Sequence, residues 1–381
     1  MFDFCIVGGG MIGAATALGL AKKGFSIALI ETHMPKAFEP SDEPDIRVSA
    51  ISVTSQALLD SLGAWQYIEQ MRTCSYARLS VWERPDCRTD FVSDDINTPR
   101  LGYIIENRVL QLGLHQALAD FPNVTWFCDS PVKEIVPGDK PLVHLTDKRV
   151  LSCRWLIGAD GLRSQVREAA CIGTQGWQYS QQAFAIQIIT HAPQQDITWQ
   201  QFIPTGPVAF LPMYAQFASL VWYNTSDNIK RLKTLSPVAL KQEIIKAFPQ
   251  ELVDFDVLKT AHFPLMRMHA NQYVKEHVVL IGDAAHAINP LAGQGVNLGF
   301  KDVAVLLECI GDEQPQDKDL LRYESLRRKD NLLMMSAMDA IYSTFKQRNP
   351  LFKVMRNLGF KLANHGGVIK HQVMKYAMGL N

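Results

Sequence analysis

Residues 2–13 read FDFCIVGGGMIG, a short apolar run that stops abruptly at a glycine. Phe2 to Val7 has the composition of a buried strand, Gly8-x-Gly10-x-x-Gly13 follows directly, and small and apolar residues continue as a helix to Lys23. Each glycine has its own task in that setting. Gly8 makes the tight turn, Gly10 admits a pyrophosphate to the helix N-terminus, and Gly13 lets the helix lie close to the strand. A second strand, Ser26 to Ile30, ends at Glu31, where a carboxylate can hold an adenosine ribose. Strand, turn, helix and acid together predict a dinucleotide site, and the acid favours an unphosphorylated ribose, so FAD or NAD ahead of NADP.

Two further turns have related chemistry. Val278 to Ile281 is a strand-like run that opens into GDAAHAINPLAGQGVNLGF, residues 282–300. Gly282 lets the backbone approach a ligand, Asp283 offers oxygens to hydroxyls, and Gly293-Gln294-Gly295 supplies free N–H groups where a helix begins. In between, Trp155-Leu156-Ile157-Gly158-Ala159-Asp160-Gly161 runs from a strand into a turn, with Ser164 and Arg167 on a helix opening.

These three motifs, in this order and at these separations, resemble the flavoprotein aromatic hydroxylases, single-component FAD monooxygenases of the para-hydroxybenzoate hydroxylase type. Asp45 to Ser52, Gly102 to Asn107 and Asn289 to Gly299 are similar to the ubiquinone-biosynthesis branch of that family. The resemblance implies an α/β fold: a Rossmann-like FAD-binding domain with an inserted β-sheet substrate domain and C-terminal helices. It also implies FAD, molecular oxygen as co-substrate, NAD(P)H or a partner reductase as electron source, and hydroxylation of a polyprenyl benzoquinol through a C4a-hydroperoxyflavin. Arg47, Asn107, Asp160, Asp283, Gly295 and Asn297 join Gly8, Gly10, Gly13 and Glu31 as cofactor-binding positions. Asn107 stands where relatives often carry Arg. Pro290, Gly293, Gln294 and Gly295 are implied to shape the pocket where oxygen is transferred. His286 reads either as an acid–base group or as a structural hydrogen-bonding residue. Phe210, Pro212 and Trp222 are candidates for stacking on the ring or lining a prenyl channel. Two other readings stay open, a non-oxygenating FAD oxidoreductase and a flavin-bearing scaffold.

With 381 residues, 47% of them hydrophobic, the chain can bury a large core, and its formal net charge of zero gives no reason to expect nucleic acid as a partner. Its seven cysteines have no metal-ligand spacing, so reduced thiols and no metal site are expected. No export signal and no membrane-spanning apolar run is visible, which predicts a cytoplasmic protein, peripheral at the inner face of the cytoplasmic membrane. Residues 1–72, 98–180 and 268–340 are expected to form the FAD-binding domain, and 73–97 with 181–267 the substrate sheet. In that sheet, short strands are predicted at Ala183–Thr190, Thr198–Phe202, Val208–Leu211 and Ala218–Tyr223, interrupted by one helix, Pro237–Phe248. Residues 341–381 carry lysines and arginines among apolar positions with no acid. That pattern suits docking to anionic lipid or to a protein of a membrane-associated biosynthetic complex, or a packed helix with a solvated basic face; a homo-oligomer is also possible.

Overall fold

The first strand, Phe2–Val7, lies inside a sheet whose order is Val274–Lys275, Val278–Leu280, Val150–Gly158, Phe2–Val7, Ile27–Glu31, Val124–Cys128. Neighbours are parallel except at the Val274–Lys275 edge, and a hairpin, Val132–Val136 with Leu142–Leu145, extends the Val150–Gly158 strand on its antiparallel side. The computed structural model describes residues 1–288 and 295–346, apart from the side chains of 341, 345 and 346. Phe4, Ile6, Ile27, Leu29, Leu156 and Ile157 are all fully buried, as a parallel sheet covered on both faces requires.

Register brings the motifs together. Val7 pairs with Gly158, Gly158 with Leu280, and Val7 with Ile30, so the three turns leave the sheet at one level. The contact between them is close enough to dictate glycine. Gly8 has φ +101°, and a Cβ there would lie 2.5 Å from the Ala159 carbonyl oxygen. A Cβ on Gly13 would lie 1.8 Å from the Gly8 oxygen, and one on Gly299 would lie 2.7 Å from Ile12 Cδ1. Helix Met11–Lys22 is thereby seated on the strand and helix Gly295–Cys309 on that helix.

The second sheet runs His286–Ala287, Phe255–Ala270, Thr174–Thr190, Phe217–Thr225, Gly206–Pro212, Ile197–Ile203, Arg78–Trp82, Arg88–Val92. The predicted short strands are therefore parts of longer ones, and Phe255–Ala270, 16 residues, was not anticipated. Its Pro264 lacks an N–H for the ladder, and the register with Thr174–Thr190 shifts there, between Gln178 and Gln182. Two helices, Ser226–Lys233 and Pro237–Ala247, cover one face, where one was expected. The Ser-Asp-Asn start of the first reads as a turn, but Thr225 accepts a hydrogen bond from Asn228 N–H and so caps the helix, while Ile229 and Leu232 are buried. A third sheet, Val48–Ser52, Gly102–Glu106 and Cys74–Tyr76, completes the fold with the long helix Asp317–Lys346.

The two large sheets meet at a buried polar junction. His286–Ala287, just beyond the Gly-Asp turn, pairs with Met268–His269 of the second sheet. The Tyr273 hydroxyl donates to His269 Nε2 (3.1 Å) and accepts from Asn331 Nδ2 (3.2 Å), and Asn331 also donates to Asp302 (3.1 Å). Burial, followed by the Arg328 charge, pushes the His269 pKa down to about 4. The folded protein thus holds His269 neutral where the unfolded chain protonates it, near 6.5.

Gly13→Ala is expected to cost more than about 3 kcal/mol, because backbone rather than a flexible side chain stands in the way; equilibrium urea unfolding reads this directly. His269 adds a pH dependence. Between pH 6.5 and pH 4 the unfolded state binds a proton that the folded state does not, so stability is lost as pH is lowered, at up to about 1.4 kcal/mol per unit. The slope should flatten in His269→Gln, and equal slopes in wild type and variant would contradict the assignment.

Candidate active site

At the level where the three turns meet, the first turn is held from behind. The Gly9 carbonyl accepts hydrogen bonds from Gln111 Nε2 (3.0 Å) and His115 Nε2 (2.6 Å), both on helix Asn107–Leu118. Burial lowers the His115 pKa, which keeps the ring neutral, with its proton on Nε2 toward the carbonyl. Glu31 lies against the same loop, its Oε1 accepting from His33 N–H at 2.9 Å. Gly10 differs from Gly8 and Gly13: a Cβ there would meet nothing within 4 Å. Gly10 is not small because the protein needs the space, and a ligand can take it.

The middle turn is self-contained. Asp160 accepts from Ser164 Oγ (2.5 Å), Gln165 N–H (2.7 Å) and Val166 N–H (3.2 Å), so its carboxylate closes the start of helix Gln165–Ala169. Burial raises its pKa although these donors oppose the shift. Arg167 links this turn to the late one by donating to Leu162 O and Ala284 O, both at 2.8 Å.

Asp283 is exposed and its carboxylate makes no hydrogen bond or ion pair among the described residues, though it feels the charges of His286 and Asp302. Crowding by surrounding protein nevertheless raises its pKa, so the carboxyl stands in a recess rather than on an open surface. His286 is 2% exposed and donates from Nε2 to Asp302 at 2.5 Å. This burial and partner fit the structural hydrogen-bonding reading.

Arg47 is held by its backbone. Its carbonyl accepts Asn107 N–H (2.9 Å), and the preceding Asp45 N–H donates to Glu106 (2.6 Å), which forms a buried ion pair with Arg72 (3.1 Å). Burial raises the Glu106 pKa, with Asp45 N–H and Arg72 opposing it. The exposed Arg47 guanidinium lies over the Phe263 ring, 4.9 Å from its centroid, on the substrate sheet. Asn107 Oδ1 accepts from Ser49 Oγ at 2.7 Å.

Other positions depart from the sequence reading. Asn297 is 5% exposed, and its amide joins Ala50 O, Ser52 N–H and Ser55 Oγ. Its side chain pins the third sheet to helix Gly295–Cys309, so the expected cofactor contact falls to its backbone. Phe210 stacks on Trp199 at 5.5 Å and Trp222 packs edge-on to Phe248 at 5.6 Å, in a core beneath Ser226–Lys233 and Pro237–Ala247. Pro212 shares their parity on Gly206–Pro212 and is buried. All three are corrected to the covered face of the sheet, away from any substrate. The opposite face carries Ala185, Ala209, Leu211 and Val221, with Ala209 paired to Val221 and Val221 to Ala185. Gly295 opens its helix with free space at its Cβ position, whereas Pro290, Gly293 and Gln294, like residues 347–381, lie outside the described residues.

Open space at Gly10, a free carboxylate at Asp283 and an exposed guanidinium at Arg47 fit a cofactor with a pyrophosphate and a polyol. The family description "FAD binding domain" matches residues 1–332. The 3-demethoxyubiquinol 3-hydroxylase of Escherichia coli is 42% identical, across 99% of this chain and 98% of that protein. Ubiquinone hydroxylase UbiL of Rhodospirillum rubrum is 33% identical, across 99% of this chain and 89% of that protein. Among solved structures, p-nitrophenol 4-monooxygenase PnpA from Pseudomonas putida has the same fold, with a TM-score of 0.80 and 21% identity over 99% of this chain and 96% of that one. With its three turns on one rung of a parallel sheet and these full-length identities, the chain belongs to the FAD-binding family and, within it, to the ubiquinone-biosynthesis hydroxylases.

Proposed function

We propose that this protein is an FAD-dependent monooxygenase that hydroxylates the ring of a polyprenyl benzoquinol, a demethoxyubiquinol. The observation that carries the reading is an open glycine turn, an exposed carboxylate and an exposed guanidinium that lies over Phe263 of a sheet with small and apolar side chains on one face. The near-full-length identity to an enzyme of that name supports the choice of ring.

Bound FAD supplies the electrons and the oxygen-carrying chemistry, drawing on NAD(P)H or a partner reductase and on molecular oxygen. The residues of the chain bind, orient and exclude water. Gly8, Gly10 and Gly13 form the pyrophosphate cradle, Glu31 holds the adenosine ribose, and Asp283 takes hydroxyls of the ribityl chain. Arg47 bridges the cofactor and the substrate sheet through Phe263, and Asn107 lies beside it. Asp160 acts by shaping its turn. The helix that starts at Gly295 would offer its positive N-terminal end to negative charge on bound flavin, an interaction of about 0.5–2 kcal/mol. Pro290, Gly293 and Gln294, which lie outside the described residues, are assigned to oxygen transfer by the family resemblance alone. The Ala185, Ala209 and Val221 face holds the ring and keeps water out. The reaction replaces a ring C–H by C–OH, and the second oxygen atom leaves as water with the two reducing equivalents.

Residues 1–72, 98–180 and 268–340 act as the cofactor unit, and 73–97 with 181–267 as the substrate unit. Among the described residues no helix is long and apolar enough to cross a membrane. The basic segment 341–381 docks the enzyme peripherally at the inner face of the cytoplasmic membrane, or onto a membrane-associated biosynthetic complex, where a polyprenyl substrate resides.

Gly10→Val should fold with an unchanged melting temperature in the apo form and retain little or no FAD. Full flavin occupancy in the folded variant would remove the cradle from the site. For the reaction, reduced protein is mixed with isotopically labelled oxygen gas and a short-chain demethoxyubiquinol. Label in the ring of the product is expected; a flavin that re-oxidises to hydrogen peroxide with no labelled product would reject this substrate.

A further inference from the structure

Asp302, on helix Gly295–Cys309, is 0% exposed and accepts four hydrogen bonds. Its Oδ2 takes Gly282 N–H at 3.1 Å and His286 Nε2 at 2.5 Å, while Oδ1 takes Arg327 Nε at 2.7 Å and Asn331 Nδ2 at 3.1 Å. One oxygen therefore serves the late cofactor turn and the other serves helix Asp317–Lys346. Arg327 is 3% exposed and also donates to Asn331 Oδ1 at 2.7 Å and pairs with Asp330. Apart from Asp330, which is partly exposed, these groups are all buried, so a lost partner leaves a buried donor or charge bare.

What this carboxylate holds is the turn that presents Asp283. Gly282 has φ +59°, its N–H points to Asp302, and four residues later His286 points to the same oxygen. The turn is thus clamped at both ends, with the free Asp283 carboxylate between the clamps. Nothing in the sequence marks Asp302 for this task, since it sits inside an apolar helix beyond the motif.

We propose that Asp302 is a positioning residue for the flavin site. It fixes the Gly282–His286 turn so that Asp283 meets the cofactor, and through Arg327 it makes FAD retention depend on the seating of helix Asp317–Lys346. This rests on the assignment of Asp283 as a cofactor contact.

The test uses the full chain, stripped of flavin, with FAD titrated against the folded apo protein and apo melting temperatures measured in parallel. Asp302→Asn is expected to raise the FAD dissociation constant about 10- to 100-fold at a temperature where the apo variant is folded. Arg327→Lys keeps the charge but loses the fork. It should weaken FAD several-fold, and it stands in for Asp302→Asn if that variant does not fold. The double variant should bind no worse than Asp302→Asn alone, because both act through one clamp. A purely structural residue would lower the melting temperature and leave the dissociation constant of the folded protein unchanged, and that result overturns the inference. Asp283→Ala separates the two layers of argument. If it weakens FAD while Asp302→Asn does not, only the positioning role fails; if Asp283→Ala binds FAD normally, the contact on which that role rests is itself wrong.

Discussion

No side chain fits where the first turn crosses the middle one. The backbone of Gly8 stands so close to Ala159 that a Cβ would overlap its carbonyl, and the helix behind approaches so closely that Gly13 has no room either. That approach is what lets strands Phe2–Val7 and Val150–Gly158 finish on one rung and leave their turns side by side. Everything later in the site is stacked on it: Ile12, at the start of the same helix, touches the Cβ positions of both Gly282 and Gly299 and so places the third turn. A dinucleotide fold binds beyond the carboxyl ends of its strands because loops there can be brought together without disturbing the sheet.

Charge does a different job from packing in this molecule. Among the described residues, the arginine pairs Arg327–Asp302 and Arg72–Glu106 are buried on both sides, and each lies at a joint between elements rather than within one. Burial opposes ionisation of Asp302, yet the His286 imidazole and Arg327 guanidinium hold its carboxyl down to about 2. Such pairs contribute little net stability compared with well-packed apolar groups, but they tolerate only one arrangement, which suits joints whose geometry decides where Asp283 and Arg47 stand. The exposed pairs, such as Arg84–Asp86 and Lys230–Asp227, contribute little to either.

Much of this was legible in the chain. The glycine turns, the acid after the second strand and the parallel core could be read because their physics is local: a strand, a tight turn and a helix lie within a few residues of one another. The substrate sheet was legible as strands but not as faces. Alternation along Gly206–Pro212 shows that Phe210 and Pro212 share a side, and only the helix Ser226–Lys233 together with Pro237–Ala247 reveals which side is covered. Asn297 was expected at the cofactor because it follows the motif, whereas the third sheet, contributed by residues 48–52, takes its amide. Asp302 and Arg327 are a buried acid and base on two helices, 25 residues apart, and the pattern of either helix alone gives no sign that they meet.

The order of strands in the first sheet has a consequence for how the protein is made. Phe2–Val7 and Val150–Gly158 are adjacent, but Val278–Leu280, which carries the third turn, is added only after every strand of the second sheet except His286–Ala287 has been synthesised. Until then the growing chain has an unpaired edge at Leu156–Gly158 and no Gly282 turn to complete the pocket. At ribosomal rates of about 5–20 residues per second, that interval lasts several seconds. The flavin pocket is therefore a late product of translation, and the nascent chain must pass through a state in which its most apolar sheet is open along one side.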